Sequence, residues 1–186
     1  DQMYVAYQPI VDTKTNKVVA AESFARWEHP ELGDLPPSVF IPIAEEAHLI
    51  GALGDWVLKR ACTEAMSWPG SVRIAVNVSA VQFANAGFSS LVAQALAHSG
   101  LPPERLELEL TESIFLGDEG ATTDMFNQLK LLGVRLALDD FGTGYSSLSY
   151  LQHAPFDKIK IDKSFIRGVT QEGNRNAAII TSIVSL

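Results

Sequence analysis

Leu136-Ala137-Leu138-Asp139-Asp140-Phe141-Gly142-Thr143-Gly144-Tyr145-Ser146-Ser147-Leu148 reads as an apolar strand that delivers two adjacent carboxylates and then turns through two glycines. Neighbouring carboxylates repel each other, and burying them is costly unless a cation or proton pairs with them. At the C-terminal end of a strand, beside a glycine loop that admits a ligand to the backbone, such a pair is how α/β proteins build metal and phosphate sites. The same residues also suit a strand terminator or a helix N-cap. The rest of the chain decides between them.

Outward from this run, short apolar stretches alternate with longer helical patterns. The strands are expected at Met3–Val11, Val18–Trp27, Arg73–Ser79, Leu106–Thr111, Arg135–Asp139 and Lys158–Asp162. Helical periodicity covers Ser38–Glu46, Leu53–Trp68, Phe88–Ser99 and Ala121–Leu132, with a short helix after Tyr145. Pro36-Pro37-Ser38 and Pro102-Pro103-Glu104 mark turns. Strands separated by helices predict parallel βα units, in a barrel or a doubly wound sheet. No GxGxxG or Walker lysine motif is present, which counts against the nucleotide-binding doubly wound folds. Asp12–Lys17 leaves no room for a helix, so the first two strands form a hairpin.

Side chains of a strand alternate between its faces. Five strands carry polar groups on one parity: Glu22 and Arg26, with Phe24 between them; Asn77 and Ser79; Glu107, Glu109 and Thr111; Asp139; Lys158, Lys160 and Asp162. The opposite parity is Ile74, Val76 and Val78, then Leu106, Leu108 and Leu110, then Leu136 and Leu138. One arrangement satisfies all five: an α/β barrel with apolar residues against the helices and polar residues in the lumen, gathered at the C-terminal mouth. Taken singly, Glu109 also suits a solvated edge, Asn77 a turn and Lys160 the surface. Glu22, Asn77, Glu109 and Asp139 make an all-oxygen set suited to Mg²⁺ or Mn²⁺ and not to zinc. Asp140 stands where a second ion would be held, Lys160 offers a fixed positive charge, and Arg26 a fork for phosphate.

The chain has 186 residues, 47% of them hydrophobic, and a net charge of −8, with a pI near 4.9. That supports one domain over residues 1–186 with a sizeable core, and argues against a DNA- or RNA-binding surface. Cys62 is alone and reads as a buried helix residue. No stretch has the length of a membrane span and no signal peptide is visible, so a cytoplasmic setting is expected, including that of a membrane-anchored protein's cytoplasmic part. The chain opens at Asp1 and stops in an apolar segment at Leu186, and reads as part of a longer protein.

These residues resemble the EAL family, the cyclic di-GMP phosphodiesterase domains of bacterial signalling proteins. The resemblance rests on Tyr7-Gln8-Pro9-Ile10-Val11, Arg26-Trp27-x-His29-Pro30, Phe40-Ile41-Pro42-x-Ala44-Glu45, Asn77-x-Ser79, Glu109-x-Thr111-Glu112, the Asp139–Leu148 run and Lys160-Ile161-Asp162. It implies a modified TIM (β/α)8 barrel with an antiparallel first strand, whose last two strands would lie beyond Leu186, so that residues 1–186 alone are expected to be inactive and the complete domain to be the catalyst. It further implies Glu22, Asn77, Glu109 and Asp139 as ligands of Mg²⁺ or Mn²⁺, with Asp140 serving a second ion. Glu22, Asp140 and Lys160 are thereby catalytic, Lys160 by positioning the attacking water. Glu112 would brace the loop after Asp140, while Gln8 and Arg26 contact the dinucleotide. The implied reaction is hydrolysis of cyclic di-GMP to linear 5′-pGpG; the alternative is a degenerate receptor that binds cyclic di-GMP without cleaving it. Sensor or GGDEF-type domains are the expected companions and a homodimer the expected assembly. The signature tripeptide here is Glu22-Ser23-Phe24, and Phe24 adds volume on the lumen side that is expected to tilt Glu22 or crowd the ligand.

Overall fold

In the computed structural model, which describes residues 2–142, 154–166 and 180, the strands form a single mostly parallel sheet. Strands β1 (Met3–Val11) and β2 (Val18–His29) pair antiparallel, with Gln8 opposite Glu22. The Asp12 carboxylate closes their turn by accepting from the Lys14 and Thr15 amides at 2.9 and 2.7 Å. From β2 the sheet runs parallel through β4 (Arg73–Val78), β5 (Leu106–Thr111), β6 (Arg135–Phe141) and β7 (Lys158–Ile161). The expected hairpin and parallel order are both present.

The apolar parity meets the helices. Ile74, Val76, Leu106, Leu108, Leu110 and Leu136 share one cluster with Leu58, Ala61 and Ala65 of α2 (Ile50–Ala65), Val92 and Ala95 of α4 (Phe88–Ser99), and Phe126 and Leu129 of α5 (Glu119–Leu132). Cys62 is fully buried among them. At the base of this layer the buried Arg105 guanidinium donates to the carbonyls of Ala65 and Val72 at 2.7 and 2.9 Å, capping the C-terminal end of α2. Asp157 holds the start of β7 to β6 by accepting the Leu136 amide at 2.8 Å, and pairs with Lys130 at 3.0 Å.

Several elements differ from the sequence expectation. Helix α2 runs from Ile50 to Ala65, not Leu53 to Trp68. Ser67 bonds back to the Glu64 carbonyl at 2.7 Å, and Trp68 turns to meet Tyr7 edge-on at 5.1 Å, with Pro69 following. Strand β2 continues to His29 because a short strand, β3 (Gly33–Leu35), folds back on it. Helix α1 spans Pro37–Glu46. A further short helix, α3 (Ala80–Phe83), opens on a reciprocal cap in which Ser79 Oγ accepts the Gln82 amide and Gln82 Oε1 accepts the Ser79 amide, each at 3.2 Å. Gly54 of α2 leaves the space that the Gln82 side chain fills. The helix expected after Tyr145 lies outside the described residues.

Candidate functional site

At the C-terminal ends of the strands the polar parity converges on one point. Lys160 of β7 donates to Glu22 Oε2 at 3.1 Å, Glu109 Oε2 at 2.6 Å and Asp139 Oδ2 at 2.9 Å. An ammonium has three donors, and each is used. Oxygens of these three carboxylates lie within 4.8 Å of one another. Asn77 adjoins them, its Nδ2 donating to Glu22 Oε1 at 2.9 Å.

The reach of Lys160 across the sheet depends on what separates β5 from β7. Glu109 is opposite Ala137 on β6, and Ala137 is opposite Lys158 on β7. A methyl group at that position leaves the lysines of β7 open to the acids of β5. One layer below the mouth, Lys158 pairs with Glu107 at 2.5 Å, and Arg135 approaches the same carboxylate at 3.8 Å. Glu107 and Glu109 are both 1% exposed.

Burial drives the electrostatics of the mouth. The Glu109 carboxyl is pushed up to about 8, first by loss of water and further by the Glu22 charge, while Lys160 opposes the rise. The Lys160 ammonium is held charged well above the usual lysine range: burial works against the charge, but the Glu109 and Asp139 bonds outweigh it. Burial also opposes ionisation of Glu22, yet bonds from Asn77, Glu109 and Lys160 keep its carboxyl below the usual value. Asp140 is raised by burial and by the nearby charges of Asp139 and Asp162.

Asp140 takes a left-handed backbone conformation, φ 51°, and its amide donates to Asp139 Oδ1 at 2.9 Å. Glu112 is buried, and its Oε1 accepts the Gly142 amide at 2.9 Å, tying the end of β5 to the start of the glycine loop. Residues 143–153 of that loop lie outside the described part. Gln8 is exposed on the face it shares with Glu22. Arg26 stacks its guanidinium over the Phe24 ring at 5.1 Å and donates to the Ala25 carbonyl at 3.0 Å. Ser23 is buried, its hydroxyl donating to the Ala75 carbonyl at 2.9 Å. Beside Phe24, Glu22 keeps its bonds to Asn77 and Lys160, so the ring does not tilt the carboxylate away from the cluster. Asp162 is not a partner of Lys160 in an ion pair; its Oδ1 accepts the Ser164 amide at 2.8 Å at the head of the short helix Lys163–Ile166.

Glu22, Asn77, Asp139, Asp140 and Lys160 border an open cleft of about 930 Å³, with Phe24, Val81 and Ser113 on its walls. Sequence reading did not single out Ser113, whose hydroxyl is 2.6 Å from that of Thr111, or Gln82. The Ser79-x-x-Gln82 capping pattern was the available signal for the latter. The donor set fits a hard divalent cation: three carboxylates supply only oxygen, negative charge exceeds positive, and Glu109 Oε1 is buried with no hydrogen-bond partner, while Asn77 turns its Nδ2 to Glu22.

A mostly parallel sheet flanked by helices, opened by an antiparallel strand and polar at its C-terminal mouth, defines a TIM-barrel-like class of α/β protein. The EAL domain family model matches residues 1–186, and the chain belongs to that family. An uncharacterized signaling protein of Caulobacter vibrioides is 49% identical over 186 residues, all of this chain and 23% of the relative. The bifunctional diguanylate cyclase/cyclic di-GMP phosphodiesterase MucR of Pseudomonas aeruginosa is 41% identical over 189 residues, all of this chain and 27% of MucR. The chain thus spans about a quarter of the length of the curated relatives it matches. The MucR phosphodiesterase in complex with c-di-GMP superposes with a TM-score of 0.92 at 41% identity, over 99% of this chain and 76% of that one. An EAL domain protein from Listeria monocytogenes gives 0.87 at 29% identity, over 99% and 72%. The expected barrel class with its antiparallel first strand is borne out. Among the described residues, no helix is long and apolar enough to cross a membrane.

Proposed function

We propose that this chain belongs to the catalytic domain of a divalent-metal-dependent phosphodiesterase that, with the domain complete, hydrolyses cyclic di-GMP to linear 5′-pGpG. The observation that carries this reading is the excess of acid at the mouth, where Glu22, Glu109 and Asp139 converge on one lysine. Carboxylates that serve only structure are paired one to one, because unpaired charge in a partly buried site is costly. Glu22, Asn77, Glu109 and Asp139 would hold one Mg²⁺ or Mn²⁺ ion, and Asp140 would serve a second. The bound metal supplies positive charge to the phosphate and acidifies water.

The protein's own residues do the rest. Lys160 orients the attacking water toward phosphorus, and its charge strengthens that hold as negative charge grows in the transition state. Glu112 fixes the Gly142 amide, and with it the loop entered through Asp140. Gln8 and Arg26, on the face they share with Glu22, extend the site toward the dinucleotide; Phe24 holds the Arg26 guanidinium flat. The wider setting we propose is a cytoplasmic part of a longer protein, joined to sensor or GGDEF-type domains and working as a homodimer.

One observation favours the receptor reading. The Lys160 ammonium bonds one oxygen of each of the three carboxylates, and so already occupies the centre of the cluster, as in a site that binds the dinucleotide without metal. Incubation of the intact protein with cyclic di-GMP and Mn²⁺ or Mg²⁺, followed by chromatography, decides between them. Linear 5′-pGpG supports the enzyme, and unchanged ligand that nevertheless binds supports the receptor.

A further inference from the structure

We propose that Lys160 determines which cations the carboxylate cluster accepts: it is a resident counter-cation that a divalent ion displaces and that monovalent ions cannot. This rests on the metal-dependent reading above.

The geometry is explicit. The ammonium sits 2.6–3.1 Å from one oxygen of each of Glu22, Glu109 and Asp139. These are the same three side chains whose oxygens gather within 4.8 Å. A Mg²⁺ ion draws its oxygen ligands to about 2.0–2.1 Å, so the ion and the ammonium cannot both occupy the centre. The lysine has somewhere to go. Its side chain is 22% exposed, it borders the open cleft, and Asp140 and Asp162 border the same space. A flexible four-carbon stem allows the withdrawal without moving β7.

The exchange is selective by charge. Sodium or potassium replaces one unit of positive charge with another and forfeits three charge-assisted hydrogen bonds. A divalent ion adds a unit of charge to a cluster that has three carboxylates for one ammonium, and so gains where a monovalent ion does not. After displacement the ammonium stands beside the ion, where a group that orients water is needed.

The test is calorimetric titration of Mn²⁺ at pH 8 into the intact protein and its Lys160→Met and Lys160→Gln variants. Both variants should bind Mn²⁺ at least about tenfold more tightly, because the like charge at the site is gone. Potassium chloride should weaken Mn²⁺ binding by the variants more than tetramethylammonium chloride does at equal ionic strength, and should not do so in the wild type. Equal or weaker Mn²⁺ binding by folded variants overturns the proposal while leaving the metal site standing. Absence of Mn²⁺ binding by wild type and variants alike overturns the metal reading, and the proposal with it. If a variant is folded but too unstable for calorimetry, the rise of its melting temperature with Mn²⁺ gives the same comparison: a smaller rise than in the wild type overturns the proposal.

Discussion

The lumen of this sheet has two charged layers: both draw on β5, β6 and β7, and the upper one adds Glu22 of β2. In the lower layer Glu107 meets Lys158, with Arg135 beside it, and the acid is sealed from water. In the upper layer Glu22, Glu109 and Asp139 share Lys160; Glu109 is as buried as Glu107, with Lys158 3.9 Å away, while Glu22, Asp139 and Lys160 border a cleft. Below, acid is matched by base; above, it is not. Balanced buried charge is a structural arrangement, whereas an imbalance at a mouth is maintained only where a ligand completes it.

The sharpest way to break this comparison is to neutralise an acid of the upper layer. Glu109→Gln should reduce turnover to background while leaving a folded protein, and a chelator should do the same to the wild type. Product chromatography reads both, and turnover surviving the chelator would refute metal dependence. Next in size, Lys160→Ala should cut kcat by a factor on the order of 10²–10³, the scale of losing one preorganised electrostatic group, while cyclic di-GMP still binds. Binding by calorimetry beside single-turnover rates separates the two effects. If Lys160 were only a structural ion pair, stability, binding and turnover would fall together.

In the lower layer the expected loss moves from rate to stability. Lys158→Met strands a buried Glu107 with only the more distant Arg135, and should cost on the order of 3 kcal/mol in urea denaturation. Turnover per folded molecule should change only a few-fold. A large rate loss without a stability loss would mean that the two layers do not divide the work as their charges suggest. Phe24→Leu should do less still. The ring lies against Arg26 and does not disturb Glu22, so stability should shift by less than about 1.5 kcal/mol. Cyclic di-GMP affinity should fall by about two- to five-fold as the guanidinium loses its aromatic face.

The smallest effect concerns pH at the base. Although burial acts to raise it, the Asp157 carboxyl lies below its ordinary value because the Leu136 amide and the Lys130 ammonium favour the ionised form. A depressed folded value contributes stability above the unfolded pKa, near 3.8, and that contribution is lost as pH falls through the folded value. Melting temperature measured from pH 6 down to pH 2 should therefore drop less steeply in Asp157→Asn than in the wild type.

Much of this was legible in the sequence because both layers rest on period-two alternation. Leu106, Leu108 and Leu110 against Glu107 and Glu109 state which face is buried against helices before any coordinate is known. What alternation cannot give is register between strands. Helical connections of different lengths set it, so the pairing of Glu107 with Lys158 and of Glu109 with Lys160 was hidden. So was the part played by Ala137, which looks like any small core residue until Glu109 and Lys158 flank it. Strand β3 escaped notice because Gly33–Leu35 is too short to show a period. The motif residues announced the cluster, but not that Lys160 stands at its centre or that Asn77 donates to Glu22. Those are outcomes of side-chain reach, which spacing does not encode.

Gly54 carries a consequence for anyone who would stabilise this domain. A glycine inside a helix is a standard candidate for alanine, with an expected gain of about 1 kcal/mol in helix propensity. Here a methyl group would collide with the Gln82 amide on the neighbouring short helix. Gln82 can swing aside, but it then surrenders the Ser79 amide, and with it a hydrogen bond worth roughly 0.5–1.5 kcal/mol. Gain and loss nearly cancel, so a melting curve would record nothing. The damage would instead surface two residues from Asn77, as a loosened rim of the cleft reached through an outer helix. Screening by thermal shift alone would pass a substitution that only an assay of the site could detect.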